Sequence, residues 1–271
     1  MNYQTFEPDE NLRTFVKCYW ILENPEETYP EVQEIVPDGC MEMIFHCADL
    51  YEQYDENGTS IIQPRCFVIG QLTRPLKIKP TGETKIFSVR FHPEGFMPFA
   101  TIPIKEMENR AVSLKELFGK DGYEIEQKIV KSGSVFDKIK HIEEFLINKL
   151  SRTETIDRMI KSTVETILTA NGQISVEDLT RQIDTNRRQL ERKFSSAIGL
   201  SPKQLSKIVR LQMVLKLLMS GKFTNFIDLA HYGEYYDQAH FIKDFKEFTG
   251  YTPKEFYGKN LRMSFIFYGM D

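Results

Sequence analysis

ISVEDLTRQIDTNRRQLERKF, residues 174–194, is the stretch whose reading decides the fold. Ser175 stands three residues before Asp178, and Asn186 three before Gln189. In each pair a capping side chain and an acid or amide can satisfy backbone N–H groups reciprocally. The spacing predicts a short helix over 176–183, a turn at Asp184 and Thr185, and a second helix opening at Asn186. Leu190 and Phe194 fall on one face of that second helix, and Arg188, Glu191 and Arg192 on the other. A short helix, a tight turn and a polar, basic second helix form the arrangement in which the second helix enters a DNA major groove by its N-terminal end. Arginine can fork onto guanine O6 and N7, and glutamate can accept from cytosine N4, so these residue types suit base reading as well as phosphate contact. A solvated helix face would carry the same charges, and one such unit does not decide between the two.

A second unit tips the balance. Residues 226–232 read as another short helix, and Asp237 opens a helix to 248 that carries Gln238, Ala239, His240, Lys243 and Lys246. Between the units runs 202–220. Leu205, Ile208, Leu211, Val214, Leu215 and Leu218 form its apolar stripe, and Lys203, Lys207, Arg210 and Lys216 its polar side. At about 1.5 Å per residue this helix spans roughly 28 Å, close to the roughly 34 Å of one duplex turn. A rod of that length can set two reading helices in successive major grooves. Ser201 with Gln204 and Thr252 with Glu255 repeat the capping pattern, Pro202 and Pro253 take first helical positions, and Gly172, Gly221 and Gly250 read as stops. About seven helices are predicted from 156 onward.

Charge is segregated in the same way. The 271 residues carry a net −4, but residues 1–154 hold 18 basic against 26 acidic groups and residues 155–271 hold 17 against 13. Within 181–222 the balance is 10 to 2, a local field that attracts a polyanion whatever the total.

Upstream the pattern changes to strands. Residues 14–22, 32–36, 41–47, 66–69, 76–79 and 85–91 are short runs rich in Val, Ile, Phe and Tyr, separated by turn chemistry at 37–39, 56–58 and 80–82. A small antiparallel sheet or barrel follows, ending in helices over 121–130 and 136–150. The polar stretch 151–155 marks the boundary. The fold class is therefore α+β: a β-rich domain over 1–154 and an all-α domain of two helix-turn-helix units with a linker helix over 155–271.

These residues resemble the DNA-binding domain of AraC/XylS-type transcriptional regulators. ISVEDLTRQIDTNRRQLERKF resembles the first helix-turn-helix, SPKQLSKIVRLQMVLKLL the linker helix, and DLAHYGEYYDQAHFIKDFKEFTGYTPKEF the second unit with its closing signature. EIVPDGCMEMIFH, FVIGQLTRPLKIKPTG and FSVRFHPEGF are similar to an uncharacterised sensor-like domain found attached to this type. The resemblance implies DNA contacts from Arg187, Arg188, Glu191, Arg192 and Lys203, and from Gln238, Ala239, His240 and Lys243 in the second unit. One departure stands out. The family places Gly in each helix-turn-helix turn, where this chain has Asp184 and Glu234, with Gly233 one place early. Aspartate tolerates positive φ better than glutamate, so a distortion is expected in the second unit.

Cys18, Cys40, Cys47 and Cys66 with His46 and His92 offer zinc-binding groups, but their spacings fit no compact ligand pair, so reduced thiols packed in the core are expected and no metal or cofactor. His92 has no nucleophile motif or paired acid near it, so catalysis is not expected. A sheet domain can enclose a small molecule, and Asp38, Arg74, Arg90 and His92 are the polar groups expected to face such a cavity. The partners implied are duplex DNA at two adjacent major grooves, with a small-molecule effector, a second copy of the chain and RNA polymerase as further candidates. The alternative reading is a ligand-binding or enzymatic barrel with a helical docking module. No apolar run reaches the length of a membrane span and the N-terminus lacks a signal pattern, which points to the cytoplasm. The apolar tail 263–268 is expected to pack on the body or on a second protomer.

Overall fold

The computed structural model describes residues 1–55, 57–150, 156–221, 223 and 225–257. The expected boundary at 151–155 and the tail 263–268 lie outside the described residues.

Among the described residues ten strands form two antiparallel sheets. The larger runs β1 (Asn2–Phe6), β2 (Val16–Asn24), β9 (Thr84–Phe91), β4 (Glu42–His46), β7 (Cys66–Ile69) and β10 (Ala111–Ser113); the smaller runs β3 (Gln33–Ile35), β8 (Leu76–Pro80), β5 (Tyr51–Tyr54) and β6 (Ser60–Ile62). Neither sheet closes, so the architecture is two open sheets rather than a barrel. The larger sheet is the middle layer. Phe87, Val89 and Phe91 of β9, with Met43 and Phe45 of β4, point to one side and pack with α1 (Leu114–Phe118), α2 (Lys120–Lys131) and α3 (Val135–Leu150). Ile86 from the opposite face of β9 packs with Trp20, Leu22, Tyr51 and Ile78 between the two sheets. Coverage on both faces explains why 41–47 and 85–91 are rich in apolar residues at adjacent as well as alternate positions. The strands absent from the sequence reading are β1, β5, β6 and β10. Three of these are sheet edges, where little apolar alternation is required.

Among the described residues seven helices follow, from α4 to α10: Arg158–Thr169, Val176–Ile183, Arg187–Ile198, Pro202–Ser220, Phe226–Tyr232, Gln238–Thr249 and Pro253–Tyr257. They share one core, in which the α7 stripe Leu205, Ile208, Leu211, Val214, Leu215 and Leu218 meets Leu190 and Phe194 of α6 and Phe241, Phe245 and Phe248 of α9. Val36, from the loop between β3 and β4, belongs to this same helical core. The adjoining turn locks onto α7. The Gln212 Nε2 donates to the Pro37 carbonyl at 2.6 Å, and Gly39 takes φ +79° so close to α7 that a Cβ would stand 2.8 Å from Leu205 Cδ1. A second tie is Tyr251, whose hydroxyl donates to Glu34 at 2.6 Å. Among the described residues no helix is long and apolar enough to cross a membrane.

Candidate nucleic-acid interface

In the first unit, Ser175 accepts from the Asp178 N–H at 3.0 Å and Asn186 from the Gln189 N–H at 2.9 Å, so both predicted caps form. Asp184 between them sits at φ 51°, ψ 56°, and the Thr185 N–H returns to the Thr180 carbonyl at 3.1 Å. The side chain that tolerates the left-handed region thus stands where the turn needs it. With Leu190 and Phe194 buried, α6 turns Arg187, Arg188, Gln189 and Arg192 to solvent. Glu191 is half-buried and held by Arg187 at 2.8 Å, so this pair is committed to each other in the absence of DNA. Arg188, Glu191, Arg192, Ser195 and Ser196 line an open cleft whose far wall is residues 103–105, and Ile104 of that wall is buried beside Gly199.

The second unit has the same build. Asn225 accepts from the N–H groups of Ile227 and Asp228, and Asp237 accepts from that of His240 at 2.7 Å. Glu234 takes φ 47°, and the Tyr235 N–H closes the turn on the Ala230 carbonyl at 3.0 Å. The departure from glycine therefore leaves the turn formed, with glutamate carrying the backbone strain. Gln238, Ala239, His240 and Lys243 are all exposed on α9. Tyr236, 93% exposed in the turn that leads into α9, joins this surface. Sequence reading missed it, although an aromatic beside a reading helix was visible in YYD.

The linker α7 spans Pro202–Ser220 as predicted, opened by a full capping box at Ser201 and Gln204. Its basic side divides into two kinds. Lys203 is exposed, whereas Lys207 reaches the buried Asp244 of α9 at 3.0 Å and Glu247 at 3.1 Å. Burial alone would lower the Lys207 ammonium, but these hydrogen bonds hold it above its ordinary value. Arg210 donates to the Gly172 carbonyl at 3.0 Å and lies over the Tyr235 ring. Both side chains brace the two units rather than face outward.

A cavity of about 70 Å³ lies between the sheets. Of the four expected ligand residues, Asp38 and Arg90 line it. Arg90 forms ion pairs with Asp38 and, at 2.9 Å, with Glu42. Burial, then the nearby Asp38, pushes the Glu42 carboxyl up to about 7, against the pull of Arg90. Arg74 lines a different surface cleft with Tyr54, Asp55 and Thr59. His92 lies outside the cavity, half-buried, with Nε2 against the Arg13 carbonyl at 3.2 Å. Glu42, His46 and Gln63 also line the cavity, beside the Trp20 indole and the Cys40 thiol. Alternation along β4, which puts Glu42, Ile44 and His46 on one face of a buried strand, is the signal that could have found the first two. All four cysteines are free thiols; burial pushes Cys40 up to about 12.

Two exposed, capped reading helices braced by a buried linker define a double helix-turn-helix protein. Residues 179–259 match the family described as a helix-turn-helix domain, and residues 4–113 match a domain of unknown function, DUF6597. The C-terminal part of the chain is thus an AraC-type helix-turn-helix DNA-binding domain, and its N-terminal part is a DUF6597 domain. No curated protein matches it at a significant level. Among solved structures, ToxT from Vibrio cholerae aligns over 88% of this chain and 97% of its own at 13% identity, with a TM-score of 0.46. The C-terminal domain of AraT, a response regulator from Geobacillus stearothermophilus, covers 38% of this chain and 87% of its own at 18% identity and a TM-score of 0.36. The AraC-like transcriptional activator CuxR covers 79% and 86% at 12% identity and a TM-score of 0.33.

Proposed function

We propose that this regulator binds a specific operator by inserting α6 and α9 into two successive major grooves on one DNA face, and that a small molecule in the inter-sheet cavity modulates that binding. Arg188 and Arg192 read base edges in the first groove, with Arg187 and Glu191 switching from each other to DNA. Gln238, Ala239, His240 and Lys243 contact the second groove, and Lys203 neutralises a phosphate. The observation that carries this reading is the pair of outward-facing, capped helices held at fixed separation by the 19-residue α7.

The division of labour follows 1–154 and 155–271, and the link between the parts is the 36–39 loop. Val36 and Asp38 line the cavity, while Val36 also enters the helical core and Pro37 accepts from Gln212. A ligand that moved Asp38 would therefore push on α7 and shift the two reading helices together. An acidic N-terminal part also competes with DNA for the basic face, so affinity should depend on salt in both respects. With DNA as partner, the protein works in the cytoplasm.

Selection of bound sequences from random duplex DNA by the full chain tests the reading. A motif of two half-sites about one helical turn apart is expected. A single short motif would remove the second unit from recognition, and no enrichment would remove sequence-specific binding.

A further inference from the structure

The inter-sheet cavity is lined mainly by apolar side chains, among them Trp20, Ile44, Ile78 and Ile86, with polar groups at two places. At one, the Asp38 and Glu42 carboxylates share the single Arg90 guanidinium, so two acids face one cation. At the other stands His46, which is 2% exposed. Its tautomer follows from its neighbours. The Gln63 Nε2 donates to Gln53 Oε1 at 3.1 Å, so Gln63 turns its Oε1 to His46 Nε2 at 3.3 Å. That oxygen can only accept, so His46 Nε2 carries the proton and Nδ1 is left as a lone pair. Among the described residues Nδ1 has no hydrogen-bond partner. Burial lowers the His46 imidazolium to about 4, which keeps the ring neutral. Arg90 serves both acids, the Cys40 N–H donates to Asp38 and the Ser88 hydroxyl to Glu42, yet the two carboxylates still outnumber the one cation. Glu42, held up to about 7, answers that excess of acid by keeping a proton that an incoming cation would replace.

We propose that the cavity binds a small apolar molecule ending in a protonated primary amine. This rests on the reading of the cavity as an effector site and adds the class of ligand. The ammonium sits against Asp38 and Glu42, the carbon chain lies along Ile44, Ile78 and Ile86, and His46 Nδ1 accepts from any second donor the ligand carries. A carboxylate in the same place would meet two acids and a lone pair, with Arg90 already paired to both acids. The volume sets the size. At a minimum of about 10–15 Å³ to admit one water, about 70 Å³ is room for a small ligand only.

Calorimetric titration of the full chain at pH 7.5 with n-pentylammonium, n-pentanol and n-pentanoate tests the proposal, because the three differ only in the end group. Pentylammonium is expected to bind at least tenfold tighter than pentanoate and severalfold tighter than pentanol. Glu42→Gln should bring pentylammonium down to the affinity of pentanol while leaving pentanol binding intact. Pentanoate binding as tightly as pentylammonium, or pentanol matching it, would overturn the assignment of an amine and leave the cavity as an effector site. Binding of none of the three would overturn both.

Discussion

Glu42 and His46 share one face of β4, and their titrations oppose each other. The Glu42 carboxyl is raised to about 7 by burial and by Asp38. Between about pH 4.5 and 7 the folded chain therefore holds a proton that the unfolded chain has released, and stability falls as pH rises through that window. His46 is lowered by burial to about 4, so between about 4 and 6.5 the unfolded chain holds the extra proton and stability rises with pH. Each shift of roughly 2.5 units is worth about 3 kcal/mol at 1.36 kcal/mol per unit, and over the shared window the two nearly cancel. Glu42→Gln removes one side of this balance. Its stability relative to the unmodified chain should grow by about 3 kcal/mol from pH 4.5 to 7.5, whatever the offset at pH 4.5. The chain has one tryptophan, Trp20, 2% exposed between the sheets beside both groups, so its fluorescence during urea unfolding reports on this part of the fold alone. A difference between the two proteins that stays constant with pH, or shrinks as pH rises, would refute the raised carboxyl and with it the charge argument for the cavity.

Three further outcomes are expected. Arg188→Ala and Arg192→Ala should each cost about 1–3 kcal/mol on operator DNA and relax base preference at one position, measured by competitive gel shift; equal losses on operator and random duplex would remove base reading from these residues. Lys203→Ala should lower the slope of log affinity against log salt by about 0.9 and leave stability unchanged, whereas Lys207→Ala should leave that slope alone and destabilise the helical part by about 2–3 kcal/mol, because Asp244, 5% exposed, would lose its ammonium. Glu234→Gly should raise stability by a few tenths to about 1 kcal/mol, since glycine takes φ 47° without strain while giving back part of that gain as unfolded-chain entropy; a loss of stability in chemical unfolding would show that the turn is unstrained.

Much of the helical half was legible because its local chemistry and its packing agree. Ser175, Asn186, Ser201 and Asp237 stop the chain from continuing as anything but a helix, and the residues three places on complete the caps. α7 was readable to its end residues, since a capping box, a proline and a closing glycine bracket an unbroken apolar stripe. The sheets were legible in most central strands of the larger sheet and in β3 and β8 of the smaller one, but not at the other edges. β1 and β6 are edge strands whose exposed residues have no partner face to satisfy, and a run such as NYQTF carries no strand signal of its own. The candidate cavity was half legible. Asp38 and Arg90 announced themselves as charges in a β-rich stretch. Glu42 and His46 were hidden in MEMIFH, where Met43, Ile44 and Phe45 put apolar residues on both faces and mask the alternation that puts the two on one face.

What sequence could not separate is a cation that meets phosphate from a cation that meets carboxylate. Lys203, Lys207, Arg210 and Lys216 fall on the polar side of one helix, and periodicity treats them alike. Their partners lie 37 and 38 residues away in chain for two of them: Asp244 for Lys207 and the Gly172 carbonyl for Arg210. Such pairings are set by tertiary packing of α4, α7 and α9, not by anything within a helical turn. The consequence bears on function. A net excess of basic residues over 181–222 overstates the charge available to DNA, because part of it is already neutralised in bracing the units. The bracing is nonetheless what two-groove binding needs. Lys207 fixes α9 to α7 through a side chain that is mostly buried, so the separation of the reading helices rests on ion pairs and hydrogen bonds that salt screens weakly, while their attraction to DNA rests on exposed arginines and Lys203 that salt screens strongly.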